Sequence, residues 1–317
     1  MDRQGRAAAV LSLTAACLFL AAAGAADLSA LGASRWMAKG ADPMRVLGTV
    51  EAECLHPPAA GEQAYLVEVG RAAFRTPLLL GGQAARAGVA CDTCHQGGRR
   101  NPDFQFPGLS GAPGTADVTT ALFSSHRDDG IDNPKPIPDL GGPKSRLKVS
   151  QDPASGQLEG FIHGQITEEF NGAEPPATVL KGLAAYVRSL SPQSCPAQER
   201  QSLHAADYAA DAARAVEAAI EALDRRDPDT AVLMLAAARS RLGLIYERYD
   251  QPDGAASRAY LTTADADLAA ALGRVRAGDA DARERLAVWL VRQRAGRVTL
   301  EADEGSSLFS PRRLAVR

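Results

Sequence analysis

The sequence of 317 residues is poor in the side chains that mark several common classes of protein. Aromatic residues make up 5% of the chain, and no cluster of Lys and Arg interleaved with aromatics occurs. Proteins that bind nucleic acid usually carry such a basic patch, so we expect no nucleic-acid partner. Runs of β-branched residues are also lacking, whereas alanine is abundant, and this composition favours helices. We therefore predict an all-α fold.

Cysteine and histidine are scarce, with five of each, yet three of them fall within Cys91-Asp92-Thr93-Cys94-His95. Two thiols three positions apart can add across the vinyl groups of a haem, and the adjacent His can then be its axial ligand. A zinc site would need a second pair of ligands at suitable spacing, and a thioredoxin-like site would need a βαβ context. The sequence offers neither. The motif predicts one haem c (iron) per chain, held by Cys91 and Cys94, with His95 as the proximal iron ligand.

The first 26 residues have the pattern of a secretory signal peptide. Arg3 and Arg6 precede an apolar stretch from 7 to about 23, and small residues follow before Asp27. An uncleaved anchor is an alternative, although the apolar run is short for a spanning helix. The position of Cys17 also gives a weak lipoprotein-like pattern. We predict a periplasmic protein that meets the membrane only if the signal is uncleaved or lipidated.

Two cysteines remain once the signal and the pentapeptide are set aside. Cys54 precedes the pentapeptide and Cys195 follows the last helix predicted after it. In an oxidising compartment such a pair is a candidate disulfide. The alternative is a pair of free thiols.

The distribution of proline, glycine and apolar periodicity divides the chain into segments. We predict an N-terminal arm at 27–59, a haem domain at 60–195 and a helical C-terminal domain at 196–317, in which the helices form a small antiparallel bundle. The predicted helices are 62–74, 158–170, 176–190, 200–224, 229–249, 256–276 and 280–294, and the predicted irregular loop is 96–143. We expect Phe104, Phe106 and Phe123 of this loop to line an apolar pocket or to serve as ordinary core residues.

The order of helix, pentapeptide, irregular loop and closing helix resembles a class I cytochrome c domain. More narrowly, Gly70-Arg71-Ala72-Ala73-Phe74, Pro77-Leu78-Leu79 and the pentapeptide resemble the beginning of a haem domain in the bacterial di-haem cytochrome c peroxidase family, which includes MauG-like enzymes. The resemblance covers about residues 60–192. It implies a cytochrome c-like fold, thioether bonds at Cys91 and Cys94, a proximal ligand at His95, and export, because haem is joined to such motifs outside the bacterial cytoplasmic membrane.

The number of haem motifs separates this chain from those peroxidases. Members of that family carry two, and their peroxide chemistry draws an electron from the second haem, whereas this chain carries one motif. No catalytic acid–base pair stands out either. We therefore favour one-electron transfer to a redox partner protein over a peroxidase-like enzyme that needs a partner haem or donor. A haem-based sensor or scaffold, with the C-terminal helices binding a partner, is a third hypothesis.

The sixth iron ligand is the least determined part of the predicted site. A class I cytochrome usually supplies a Met from the loop, but no Met occurs between His95 and Leu190. We choose His126 as the distal iron ligand, because it follows the motif in the loop and lies close to Phe123. If the iron is open instead, Arg127 is a candidate electrostatic donor that stabilises a departing oxygen by its charge. The alternatives are a surface role for His126, ligation by His163, Met44 or His56, and a five-coordinate iron.

Overall fold

The computed structural model describes residues 28–143, 145 and 147–315. The protein is mostly helical, as its composition predicts, with two short antiparallel ladders of two strands each. The predicted signal at 1–26, including Cys17, lies outside the described residues. Within the part that is described, no helix combines the length and the apolar character needed to cross a membrane.

The regular elements follow one another closely except in one long loop. The helices are α1 (Pro43–Gly48), α2 (Glu62–Phe74), α3 (Gly82–Ala87), α4 (Cys91–Cys94), α5 (Gln157–Gly164), α6 (Ala177–Arg188), α7 (Ala205–Asp224), α8 (Pro228–Tyr246), α9 (Ala255–Ala277), α10 (Ala282–Asp303) and α11 (Pro311–Ala315). The strands are β1 (Thr49–Glu51), β2 (Thr115–Ala116), β3 (Lys135–Pro136) and β4 (Arg200–Ser202). A π-helical turn at Gln165–Glu169 continues α5, so the predicted helix at 158–170 forms with a change of pitch near its middle.

Helices α2 and α6 touch each other through their backbones. A Cβ added at Gly70 would lie 1.9 Å from the carbonyl oxygen of Gly182, and one added at Gly182 would lie 2.8 Å from that of Leu66. Only glycine permits so close an approach. The predicted apolar stripes of both helices are buried around this crossing. The crossing places the segment before the pentapeptide against the helix that closes the loop.

The last third of the chain forms a cyclic arrangement of four helices. Helix α7 packs on α8, α8 on α9, α9 on α10 and α10 on α7. Their ends follow local signals: the Asp227 carboxylate accepts a hydrogen bond from the Thr230 N–H at the start of α8, and Gly278 ends α9 in the left-handed conformation. The predicted breaks at these two places are confirmed. The helices α7 and α8 also pack on α2.

Two predicted helix bounds in this region are wrong. Residues 200–202 form strand β4 rather than the start of α7, because they pair with β1 and the Arg200 side chain bonds Thr49 and Glu51 across the ladder. Helix α10 continues past 294 to Asp303. Gly296 does not end it because the Tyr260 ring occupies the space where a Cβ would stand, so tertiary packing outweighs the low helix propensity of glycine.

The N-terminal arm is built into the rest of the fold. Strand β1 pairs with β4, and Cys54 is joined to Cys195 by a disulfide with a Cα–Cα distance of 4.1 Å, which confirms the predicted pair. Leu47 of α1 belongs to a second small core that joins the arm to the C-terminal segment. Its buried members are Leu31, Leu47, Leu308 and Leu314.

Candidate functional site

The pentapeptide forms a single helical turn. Ala90 precedes α4 in an extended conformation, and its N–H donates to the Thr93 hydroxyl at 3.0 Å, which holds the start of the turn. The His95 N–H donates to the Cys91 carbonyl at 2.8 Å and closes it. Residues three apart lie on the same face of a helix. The turn therefore presents the Cys91 and Cys94 sulfur atoms on one side, where both side chains pack half-buried against the main apolar core.

Both sulfur atoms of this turn are free thiols, whereas the other two described cysteines share the disulfide. Burial raises the pKa of the Cys91 thiol to about 12, with a further contribution from the Asp92 carboxylate, and burial raises that of Cys94 to about 12. Reactive redox and nucleophilic cysteines have lowered pKa values. The two thiols are accordingly protonated at neutral pH and differ in character from a reactive redox pair.

The His95 ring is oriented by two backbone carbonyls. Its Nδ1 lies 3.0 Å from the Pro138 carbonyl oxygen and 3.4 Å from that of Arg99. Since a carbonyl oxygen only accepts, Nδ1 carries the proton and the lone pair remains on Nε2. Burial lowers the pKa of His95 despite these hydrogen bonds, so the ring is neutral. A neutral imidazole with a fixed tautomer and a free Nε2 is the form in which His binds a metal.

Two glycines turn the chain sharply after His95. Gly97 and Gly98 have φ values of 63° and 69°, and a Cβ at Gly97 would lie 2.5 Å from the Glu51 carbonyl oxygen. The Asp92 carboxylate accepts from the Gly97 N–H at 2.9 Å. These contacts seat the end of the pentapeptide directly on strand β1 of the arm.

The loop that follows the pentapeptide supplies aromatic and aliphatic side chains to the same core. Phe104 and Phe123 are buried, and Phe106 is half-buried. The Phe106 ring centroid lies 5.4 Å from that of Phe123, which lies 5.9 Å from that of Phe170. Further apolar side chains of the loop region are only half-buried where they pack on this core: Ala116, Val118, Leu140, Leu147 and Val149. The loop thus has apolar surface that the protein alone covers incompletely.

A network of buried charges lies beside the pentapeptide. The Arg75 guanidinium lies 3.8 Å from the Asp92 carboxylate, 2.9 Å from Glu53 of the arm and 2.9 Å from Asp211 of α7. The Tyr186 hydroxyl of α6 donates to Glu53 at 2.7 Å. Arg75 therefore joins the pentapeptide to the arm and to the C-terminal helices.

Two acids of this network, Asp211 and Glu53, are held ionised by the arginines around them. Burial alone would raise the pKa of Asp211, but the guanidinium groups of Arg75 and Arg241 outweigh it and bring the pKa to about 2. Burial likewise opposes ionisation of Glu53, and Arg75 and Arg71 lower its pKa nonetheless. The sequence alone does not reveal this network, because its partners are far apart along the chain. The available signal was Arg71, which belongs to the segment that carries the family resemblance.

The predicted distal residues lie elsewhere in the loop. His126 is exposed, and its backbone N–H donates to the Ser124 hydroxyl at 3.0 Å. The neighbouring Arg127 is also exposed, and its Nε donates to the Glu168 carboxylate at 3.1 Å. Cys91, Cys94 and His95 thus share one turn, whereas ligation by His126 stays a prediction.

The alternative ligands have other contacts. The His163 Nε2 lies 2.7 Å from the Glu174 carboxylate, and His56 is exposed. Met44 packs against the second core. Among the described residues, no group of three or more His, Cys, Asp or Glu side chains is arranged to hold a metal ion.

Comparison with known proteins gives no relative. No family model matches the chain. No curated protein matches it either. No solved structure matches it.

Proposed function

We propose that this chain is an exported mono-haem c-type cytochrome that transfers one electron at a time between redox partner proteins. When bound, haem c supplies an iron that changes its charge by one electron. The observation that carries the proposal is the His95 hydrogen bond to the Pro138 carbonyl at 3.0 Å, next to two free thiols on one helical turn. This bond leaves the lone pair of a neutral imidazole on Nε2, in the residue that directly follows Cys94.

The residues around this turn fit a covalently held haem. Cys91 and Cys94 would hold the macrocycle by thioether bonds, and His95 would be the proximal iron ligand. The half-buried apolar side chains of the loop, such as Phe106 and Val118, would pack on the macrocycle and be removed from water. Each fully buried aliphatic or aromatic side chain gains roughly 1.5–3 kcal/mol relative to exposure. Such packing would account for a long loop with little regular structure in an otherwise helical protein.

A cytochrome c-like arrangement of residues 60–195 is part of the proposal. The close contact of α2 with α6 at Gly70 and Gly182 supports it, since these helices precede and close the segment that carries the motif. The predicted signal and the disulfide between Cys54 and Cys195 support a periplasmic location, because disulfides persist in oxidising compartments.

Whether a side chain would fill the sixth coordination position of the iron decides between an electron carrier and a haem that is open to external ligands. We retain His126 as the proposed ligand; because its side chain is exposed, ligation requires the ring to leave solvent. Carbon monoxide should not bind the reduced protein if His126 is a ligand, and His126→Ala should then permit binding. Binding to the unchanged protein would exclude ligation and favour the second candidate, a peroxidase-like enzyme with an external electron donor, to be assayed by peroxide turnover.

A redox titration of the mature protein tests electron transfer. We expect a single reversible one-electron step in the visible spectrum. The control is the Cys91→Ser, Cys94→Ser double variant, in which that step should be absent. An irreversible or missing step in a protein that carries haem would exclude the function of an electron carrier.

A further inference from the structure

We propose that Arg99 and Asp139 are positioning residues for the His95 imidazole, an inference that rests on the proposed role of His95 as an iron ligand. The two carbonyl groups that face Nδ1 belong to Arg99 and Pro138. The first lies four residues after His95, and the second lies beyond most of the irregular loop. Something must hold these two backbone segments at a fixed separation.

The ion pair between Arg99 and Asp139 provides that link. The Arg99 Nε lies 3.1 Å and 3.0 Å from the two carboxylate oxygens of Asp139, which directly follows Pro138. The two side chains are 10% and 11% exposed. The pair therefore joins Arg99, whose carbonyl is one acceptor for His95, to Asp139. Asp139 directly follows Pro138, whose carbonyl is the other acceptor.

Both members of the pair are fixed by further contacts. The Asp139 carboxylate also accepts from the backbone N–H groups of Gly141 at 3.1 Å and Gly142 at 2.6 Å, which sets the turn after Pro138. The Arg99 Nη1 lies 3.5 Å from the Cys54 sulfur of the disulfide. The arm, the pentapeptide segment and the far end of the loop thus meet at this ion pair.

Burial of the pair is weak evidence for a role in stability, whereas its place between the two acceptor segments supports a role in geometry. A buried ion pair is often no more stabilising than well-packed apolar residues, because desolvation offsets the attraction between the charges. A hydrogen bond from Nδ1 fixes the orientation of a ligating imidazole and raises its basicity, and such bonds are one means by which a protein sets a haem potential. If the acceptor carbonyls are held less firmly, the hydrogen bond from Nδ1 weakens and His95 donates less electron density to the iron. The midpoint potential of the haem should therefore rise.

The test compares Arg99→Gln, Asp139→Asn and Arg99→Lys in the mature, haem-loaded protein. The readouts are the midpoint potential and the exchange rate of the His95 Nδ1 proton, followed by NMR in the reduced state. We expect Arg99→Gln and Asp139→Asn to favour the reduced form by about fivefold to tenfold, where tenfold corresponds to 59 mV. They should also speed exchange of the proton. Arg99→Lys should show smaller changes, since Lys keeps the charge but loses the planar fork.

The matched control is Arg188→Gln, which breaks the ion pair of Arg188 with Glu159 on α5. That pair is also partly buried and lies in the same segment of the chain, but it makes no contact with the carbonyls that face His95. It should leave the potential and the exchange rate unchanged. Equal shifts in the control, or no shift in Arg99→Gln and Asp139→Asn, would overturn the assignment.

Failure of the proposed function is distinguishable from failure of this inference. If no haem is attached, the proposed function is wrong, and the positioning role is then tested on the haem-free full chain by ¹⁵N NMR of His95. The unchanged chain should hold the Nδ1–H tautomer, and Arg99→Gln should give a mixture of the two tautomers. A single unchanged tautomer in Arg99→Gln would overturn the inference by itself.

Discussion

Replacing Asp211 by Asn removes one carboxylate from the buried network that joins the pentapeptide to the C-terminal helices. The Asp211 side chain is 16% exposed and lies 2.9 Å from the Arg75 guanidinium. Asn is nearly isosteric but uncharged, so Arg75 would keep its charge with one fewer counterion. Breaking a buried pair by removing one partner typically costs about 3–5 kcal/mol.

The pKa of Asp211 gives a second measure of the same contribution. It lies at about 2, compared with 3.8 for an ordinary Asp. At 1.36 kcal/mol for each pH unit, this difference corresponds to about 2–3 kcal/mol of stability at neutral pH. We therefore expect Asp211→Asn to lower the free energy of unfolding by about 3 kcal/mol at pH 7.

The dependence on pH has a definite sign. Because the pKa of Asp211 is lower in the folded state, its stabilisation is fully present above pH 4–5 and is lost as the pH falls towards 2. The difference in unfolding free energy between the unchanged protein and Asp211→Asn should therefore shrink to about half by pH 3. Urea unfolding at pH 7, 5 and 3 measures it.

The control for this experiment is Asp265→Asn. Asp265 lies 2.7 Å from Arg239 in the same set of helices, but both side chains are 39% exposed, so its loss should cost less than about 1 kcal/mol. An equal cost in the two variants, or a cost of Asp211→Asn that does not change between pH 7 and pH 3, would refute the reasoning.

Two further predictions concern the framework of the site. Gly182→Ala should lower the free energy of unfolding in urea by about 2 kcal/mol, because its Cβ would lie 2.8 Å from the Leu66 carbonyl oxygen. The control Gly160→Ala, whose Cβ would have nothing within 4 Å, should be neutral or slightly stabilising. Equal effects of the two substitutions would contradict the close helix contact. Replacing both Cys54 and Cys195 by Ser removes a cross-link that spans 141 residues and should lower the free energy of unfolding by about 4 kcal/mol. An unchanged midpoint of thermal unfolding would contradict this prediction.

The parts of the fold that follow local signals were predictable from the sequence. Helix α2 has the predicted bounds, Glu62 and Phe74, because Gly61 and Pro77 flank an apolar stripe of helical period. The pairing of Cys54 with Cys195 was one of the two outcomes that the small number of cysteines left open. These features depend on neighbours along the chain or on simple elimination.

The parts that depend on distant partners were not predictable in the same way. Strand β4 has no strand signal of its own and forms because β1 lies beside it. The partners of Arg75 include Asp211, 136 residues away. The acceptor for His95 lies 43 residues away, at Pro138. Sequence patterns identified the side chains of the pentapeptide, but only the tertiary fold determines what orients them.

The central claim is that Cys91 and Cys94 bind a haem covalently, with His95 as its proximal ligand. The most direct measurement is mass spectrometry of the peptide that contains 91–95, combined with a pyridine haemochrome spectrum, on protein produced with a working c-type maturation apparatus. We predict one haem per chain, attached by two thioether bonds, and none in the Cys91→Ser, Cys94→Ser variant. A colourless protein with an unmodified peptide would contradict the account.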